Sequence, residues 1–178
     1  MAVYSISNFD VTRIPEGSVF VLDTNVLFFL HSGYFSSNPS AADYSNFVLK
    51  LLVEKCNIIV STFSIQELFH IIEKKEHQKY CDKNSIKMHI KDYRKLSSER
   101  LNIKNILSVM MSEIKINYAI KNGSVDITNI NSFIQSYDVH TCDPIDYILS
   151  QNFDLNTTFF VSDDKDFKTI TGINLITA

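Results

Sequence analysis

Apolar residues follow two rhythms along this chain. Short continuous runs occupy residues 18–22, 57–61 (NIIVS), 158–162 (TFFVS) and 173–176 (INLI). Unbroken rather than alternating apolar character marks strands buried on both faces, as in a parallel sheet covered by helices. Between the runs, apolar residues recur at helical spacing. Residues 40–55 carry Phe47, Leu51 and Leu52, and residues 64–78 carry Ile65, Leu68, Phe69 and Ile72. A long helical region over about 85–121 places Ile103, Leu107, Met110 and Ile114 on one stripe, with Gly123 as its stop. A last helix is expected to start at Asp143-Pro144, because proline is favoured at the first helical position. The order is strand–helix–helix–strand–helix, a helical insert, then helix–strand–strand. This predicts an α/β three-layer sandwich with a short, mainly parallel sheet.

Composition narrows the picture. A chain of 178 residues, 45% apolar with four glycines and three prolines, fits one domain spanning 1–178, without repeats or low-complexity tracts. The N-terminus lacks a basic segment followed by an apolar one, and no run reaches membrane-spanning length, so the expected setting is cytoplasmic, with no membrane contact. Cys56, Cys81 and Cys142 are odd in number and far apart, which argues against a disulfide framework or a zinc site.

The net charge of −3 conceals an asymmetry. Residues 74–121 hold 12 Lys and Arg against 5 Asp and Glu, leaving 5 basic and 15 acidic residues elsewhere. One basic and one acidic surface are expected. Within the basic insert, at about 74–121, Lys79, Lys83, Lys87, Lys91 and Lys95 recur every four residues with Arg94 alongside. On one helix they form a slowly drifting stripe opposed by Ile86, Ile90 and Tyr93, which could follow a phosphate backbone or be an ordinary solvated face.

Four carboxylates fall at the joints of the pattern. Asp23 ends the first strand, Glu67 lies in the helix after the second, Asp146 opens the helix after the insert, and Asp164 follows the third strand. Sites in open parallel sheets collect at the carboxyl ends of strands, which would gather them. Each also has a structural reading: Asp23 as a helix cap, Ser64–Glu67 as a capping box, Asp143 as an N-cap with Asp146 a first-turn acid, and Ser162–Asp166 as a solvated turn. These readings do not explain the joint arrangement.

VFVLDTNVLFFL, IIVSTFSIQELFHII and DPIDYILSQNFDLNTTFFVSDDKDF together resemble the PIN-domain nucleases, and within them the toxin ribonucleases of bacterial toxin–antitoxin pairs. The resemblance covers about residues 18–72 and 140–176. It implies a PIN-like fold and an endoribonuclease that uses Mg²⁺ or Mn²⁺. Asp23, Glu67, Asp146 and Asp164 would be the catalytic, metal-holding acids, and Asn25 and Ser162 supporting polar residues. Asp143, Asp163 and Asp166 are further neighbours, because the Asp163-Asp164 pair leaves the fourth acid ambiguous by one position. RNA is the implied substrate, with Lys83, Lys87, Lys91, Arg94 and Lys95 as candidate contacts, and an antitoxin protein or a homodimer as candidate partners. An all-oxygen set suits a hard cation that keeps several waters.

Three other readings share some of these residues. A haloacid-dehalogenase-type phosphatase also ends its first strand in Asp, but it needs a second acid two residues later, where Asn25 stands. A non-catalytic PIN-like module would bind RNA or protein through the basic insert. Glu67-x-x-His70 has the form of half a di-iron motif, with no second copy, and His31, His77, His89 and His140 show no ligand spacing.

Overall fold

The computed structural model describes residues 2–34, 39–135, 137 and 141–178. Among these, six strands form one sheet: β1 (Ala2–Ser5), β2 (Val19–Leu22), β3 (Asn57–Ser61), β4 (Ala119–Lys121), β5 (Thr158–Val161) and β6 (Asn174–Thr177). The spatial order is β1-β6-β5-β2-β3-β4, and every neighbouring pair is parallel. From β2 the chain moves outward to β3 and β4, then returns to β5 on the other side of β2. The strand order therefore reverses beside β2, and in such sheets the crevice at the carboxyl ends at that point is where ligands bind.

The helices are α1 (Thr24–His31), α2 (Pro39–Val53), α3 (Thr62–Asn84), α4 (Ile90–Tyr93), α5 (Ser97–Asn117), α6 (Ile127–Gln135) and α7 (Pro144–Gln151). Because successive strand residues point to opposite faces, the sheet builds two cores. Phe20, Leu22, Ile58, Val60, Phe159 and Val161 join Phe47 and Leu51 of α2, Leu68 and Ile72 of α3, and Met110 and Ile114 of α5. Val21, Phe160 and Leu175 face the other way, onto Leu149 of α7, Phe167 and Ile170. Helix, sheet and helix make three layers, as the run pattern predicts. Each of these fully buried side chains contributes about 1.5–3 kcal/mol relative to exposure.

Several expectations need correction. Both edge strands escape the sequence pattern: β1 is mostly exposed and β4 wholly so, and neither has an apolar run to betray it. Helix α6 was not expected either. The helix expected over 64–78 runs from Thr62 to Asn84 and ends at Ser85, whose left-handed backbone (φ 52°, ψ 41°) closes it. What reads as one helical region over 85–121 is α4, α5 and β4 separated by short turns. Gly123 follows the strand rather than stopping a helix. It donates its N–H to Thr62 Oγ1 at 2.9 Å.

The lysine stripe does not exist as one helical face. Lys79 and Lys83 belong to α3, Lys87 to the following loop, Lys91 to α4, and Arg94 and Lys95 to its exit. Arg94 forms a two-pronged pair with Glu73 and holds that carboxyl below its ordinary range. Lys95 pairs with Asp92 at 2.7 Å, and Lys79 pairs with Glu76 while lying over the Tyr34 ring. Lys83, Lys87 and Lys91 are exposed.

Candidate metal and nucleic-acid site

A cleft of about 630 Å³ opens at the carboxyl ends of the central strands, lined in part by Asp23, Glu67, Asp143, Asp146 and Asp164. Asp23 follows β2 directly and is buried, 7% exposed. Burial makes an ionised carboxylate costly unless donors surround it, and three do. Its Oδ1 accepts from the Thr24 N–H at 2.6 Å, and its Oδ2 from Asn25 Nδ2 at 2.7 Å and Ser162 Oγ at 2.6 Å. Desolvation outweighs these bonds, with Glu67 and Asp164 adding repulsion, and the Asp23 pKa is pushed up to about 6.

The polar frame around Asp23 ties three elements together. Asn25 donates to Ser162 Oγ at 3.1 Å and accepts from the Asp163 N–H at 3.0 Å, so its amide clamps the end of β2 to the end of β5. Ser162 Oγ also accepts from the Asp164 N–H at 2.9 Å. Thr24 Oγ1 donates to Glu67 Oε2 at 2.7 Å, linking α1 to α3. Thr24 was not singled out from the sequence as a site residue; its place between Asp23 and Asn25 was the available signal.

The capping-box reading of Glu67 is overturned. α3 begins at Thr62 with Ser61 as its cap, so Ser64 lies inside the helix and Glu67 in its second turn. Asp143 is the N-cap of α7, accepting from the Ile145 N–H at 2.7 Å. Asp146 sits in the first turn, as read, but its carboxyl receives no hydrogen bond among the described residues. Burial first, then the charges of Asp23, Asp143, Asp164 and Glu67, push its pKa up to about 8.

Geometry separates the neighbouring acids after β5. Asp164 lines the cleft and its Oδ1 caps the turn that follows, accepting from the Asp166 N–H at 2.8 Å. Asp163 turns away, its Oδ1 accepting from the Tyr44 hydroxyl at 3.2 Å, and Asp166 is exposed outside the cleft lining. Phe28, Phe63, Gln66, Ile71 and Ile145 complete the lining; none stood out in the sequence, because apolar and amide residues there read as helix faces. His140 lies outside the described residues.

Among the described residues, no group of three or more His, Cys, Asp and Glu side chains is close enough to enclose a metal ion by itself. The donor chemistry nevertheless fits a hard cation held by one or two carboxylates and water. A carboxylate has about four lone-pair sites; Asp23 has spent three, and Asp146 accepts no hydrogen bond from the described residues and lies beside like charges. Added positive charge would offset the burial and the repulsion that raise both groups.

No family model and no curated protein matches this chain. Among solved structures, it is similar to a chain of the crystal structure of VapBC2 from Rickettsia felis bound to a DNA fragment from their promoter. The match has 16% identity and a TM-score of 0.53, and covers 90% of this chain and 98% of the other. The likeness extends to the fold, which is PIN-like, in keeping with the resemblance read from the sequence. No described helix is long and apolar enough to cross a membrane.

Proposed function

We propose that this chain is a metal-dependent endoribonuclease, the toxin of a toxin–antitoxin pair, which hydrolyses RNA phosphodiester bonds in the acid-lined cleft with Mg²⁺ or Mn²⁺. The observation that carries the reading is the convergence of Asp23, Glu67, Asp146 and Asp164, drawn from four separate parts of the chain, into one cleft at the carboxyl ends of the central strands. Structural capping accounts for Asp143 and partly for Asp23 and Asp164. It accounts for neither Glu67 nor Asp146.

Asp23 and Asp164 would hold the principal ion, with Glu67 and Asp146 completing the site or orienting water, and the metal would supply Lewis-acid stabilisation of the phosphoryl oxygens and an activated water. Thr24, Asn25 and Ser162 fix the Asp23 carboxylate through bonds from both of its sides. Thr24 also orients Glu67, so that one hydroxyl couples two of the acids. Burial and the neighbouring acids push the Asp146 pKa up to about 8, so a cation bound there would compete with a proton. Asn25 is committed to three bonds holding β2 against β5, which leaves no second acid for phosphatase chemistry at that position.

The VapBC2 likeness of fold and the family resemblance support an antitoxin as partner. Of the candidate RNA contacts, Arg94 and Lys95 are engaged with Glu73 and Asp92, so that role falls to Lys83, Lys87 and Lys91. Incubation of the purified protein with end-labelled RNA, with Mg²⁺, with Mn²⁺ and with chelator, tests the proposal. Cleavage should require the metal and disappear in Asp23→Asn. A folded wild-type protein that binds no divalent metal and cuts no RNA would overturn it in favour of a non-catalytic binding module.

A further inference from the structure

The cleft wall beside the acids holds an aromatic ring that the metal chemistry does not use. Phe63 is half-buried and borders the cleft in the first turn of α3, four residues before Glu67. Side chains at that spacing are neighbours on one helix face, with Cβ atoms about 5–6 Å apart. Whereas Phe47 and Phe159 both pack on Phe20, Phe63 has no aromatic partner among the described residues.

The ring's seat is made by a glycine. A Cβ at position 123 would lie 2.4 Å from Phe63 Cδ2, 2.5 Å from Cε2 and 2.9 Å from Cγ, so any side chain there would displace the ring. Gly123 has no positive φ, and its backbone would accept alanine. What requires glycine is the room taken by Phe63. The Gly123 N–H bond to Thr62 Oγ1 fixes this close approach.

Resting on the RNA-cleaving reading above, we propose that Phe63 is a stacking platform for one nucleobase of single-stranded RNA next to the scissile phosphodiester, and that Gly123 is a positioning residue that holds the ring in the cleft. A polyanion entering a cleft lined by five carboxyl groups gains little from that wall except at the metal. A neutral aromatic face one helical turn from Glu67 offers binding that charge does not oppose, and stacking is available to any base. Phe28, Ile71 and Ile145 extend the apolar part of the lining.

The test uses a short single-stranded RNA substrate and a series in which each position in turn is abasic. KM and kcat are measured with Mg²⁺, dissociation constants by fluorescence anisotropy with Ca²⁺ in its place, and melting temperatures alongside. Phe63→Leu should raise KM and the dissociation constant about tenfold with little change in kcat. Wild type should lose a similar factor at one abasic position, and Phe63→Leu should be insensitive there. Gly123→Ala should reproduce the binding loss and add nothing in a Phe63→Ala background, where Cγ, Cδ2 and Cε2 are all absent. Phe63→Tyr should retain both affinity and the abasic signature, and with Gly123→Ala carries the test should the leucine variant not fold. Wild-type cleavage with the same abasic profile in wild type and Phe63→Leu would overturn the platform alone. A wild type that neither binds nor cuts RNA would overturn the functional reading as well.

Discussion

The acids of the cleft and the lysines of the 79–95 segment behave in opposite ways. Asp23, Glu67, Asp146 and Asp164 are spread over most of the chain, and the sheet brings them to one cleft. Lys79, Lys83, Lys87, Lys91 and Lys95 are evenly spaced within a short segment, and the left-handed turn at Ser85 distributes them over α3, a loop, α4 and the exit of α4. Regular spacing in sequence gives a common face only while one helix lasts. Strand ends need no such continuity, because adjacent parallel strands terminate on the same side and their following residues meet there.

Removing an acid should have the largest effect. Asp23→Asn should lower RNA cleavage by at least about a hundredfold, the scale of losing one electrostatic contributor to a transition state. In metal-free buffer the neutral amide relieves desolvation and repulsion but sets an N–H against one of the donors that Asp23 satisfies, so the variant should melt within a few degrees of wild type. Cleavage retained by Asp23→Asn would place the chemistry elsewhere.

Metal should act on stability through the same cleft. A divalent ion at a hundred times its dissociation constant stabilises a folded protein by about 2.7 kcal/mol. Scanning calorimetry with Mg²⁺ or Mn²⁺ should show wild type melting higher by several degrees, at about 2–4 °C per kcal/mol for a chain of this size. Asp146→Asn should lose most of that gain, and Lys83→Gln none of it.

The pH dependence of the metal-free protein gives a finer contrast. Asp23 and Asp146 have folded-state pKa values of about 6 and about 8, above the ordinary 3.8. The folded state therefore binds more protons than the unfolded chain across that window, and stability falls as pH rises. The contribution of each acid is fully present below pH 3.8 and is lost as pH passes first about 6 and then about 8. Melting temperature between pH 4 and 9 should decline accordingly, and Asp146→Asn should flatten the upper part. A profile rising across that range would mean that the two carboxyls are not crowded as described.

The smallest effect belongs to the lysines. If Lys83, Lys87 and Lys91 each meet a phosphate, each change to Gln reduces the log–log salt slope of RNA binding by about 0.7. With the three on separate elements, the triple variant should change the slope by less than about 2 and weaken unrelated RNAs alike, since phosphate contacts carry no base identity. Cleavage at saturating RNA should be unaltered. An effect near 2 would show that the three lysines share a track despite the break.

The central parallel strands and the helices over them were legible from the sequence, because burial on both faces demands continuous apolar runs and coverage of a face demands helical spacing. The positions of Asp23, Glu67, Asp146 and Asp164 at the joints followed from those runs. The edge strands β1 and β4 were not legible, since an exposed strand is held by backbone bonds to its neighbour and needs no apolar pattern. The difference between Asp163 and Asp164 is likewise tertiary: one accepts from Tyr44 of α2 and the other lines the cleft. The Thr24 bridge to Glu67 and the Gly123 seat for Phe63 join residues 43 and 60 positions apart, and only the packed fold could bring such pairs into contact.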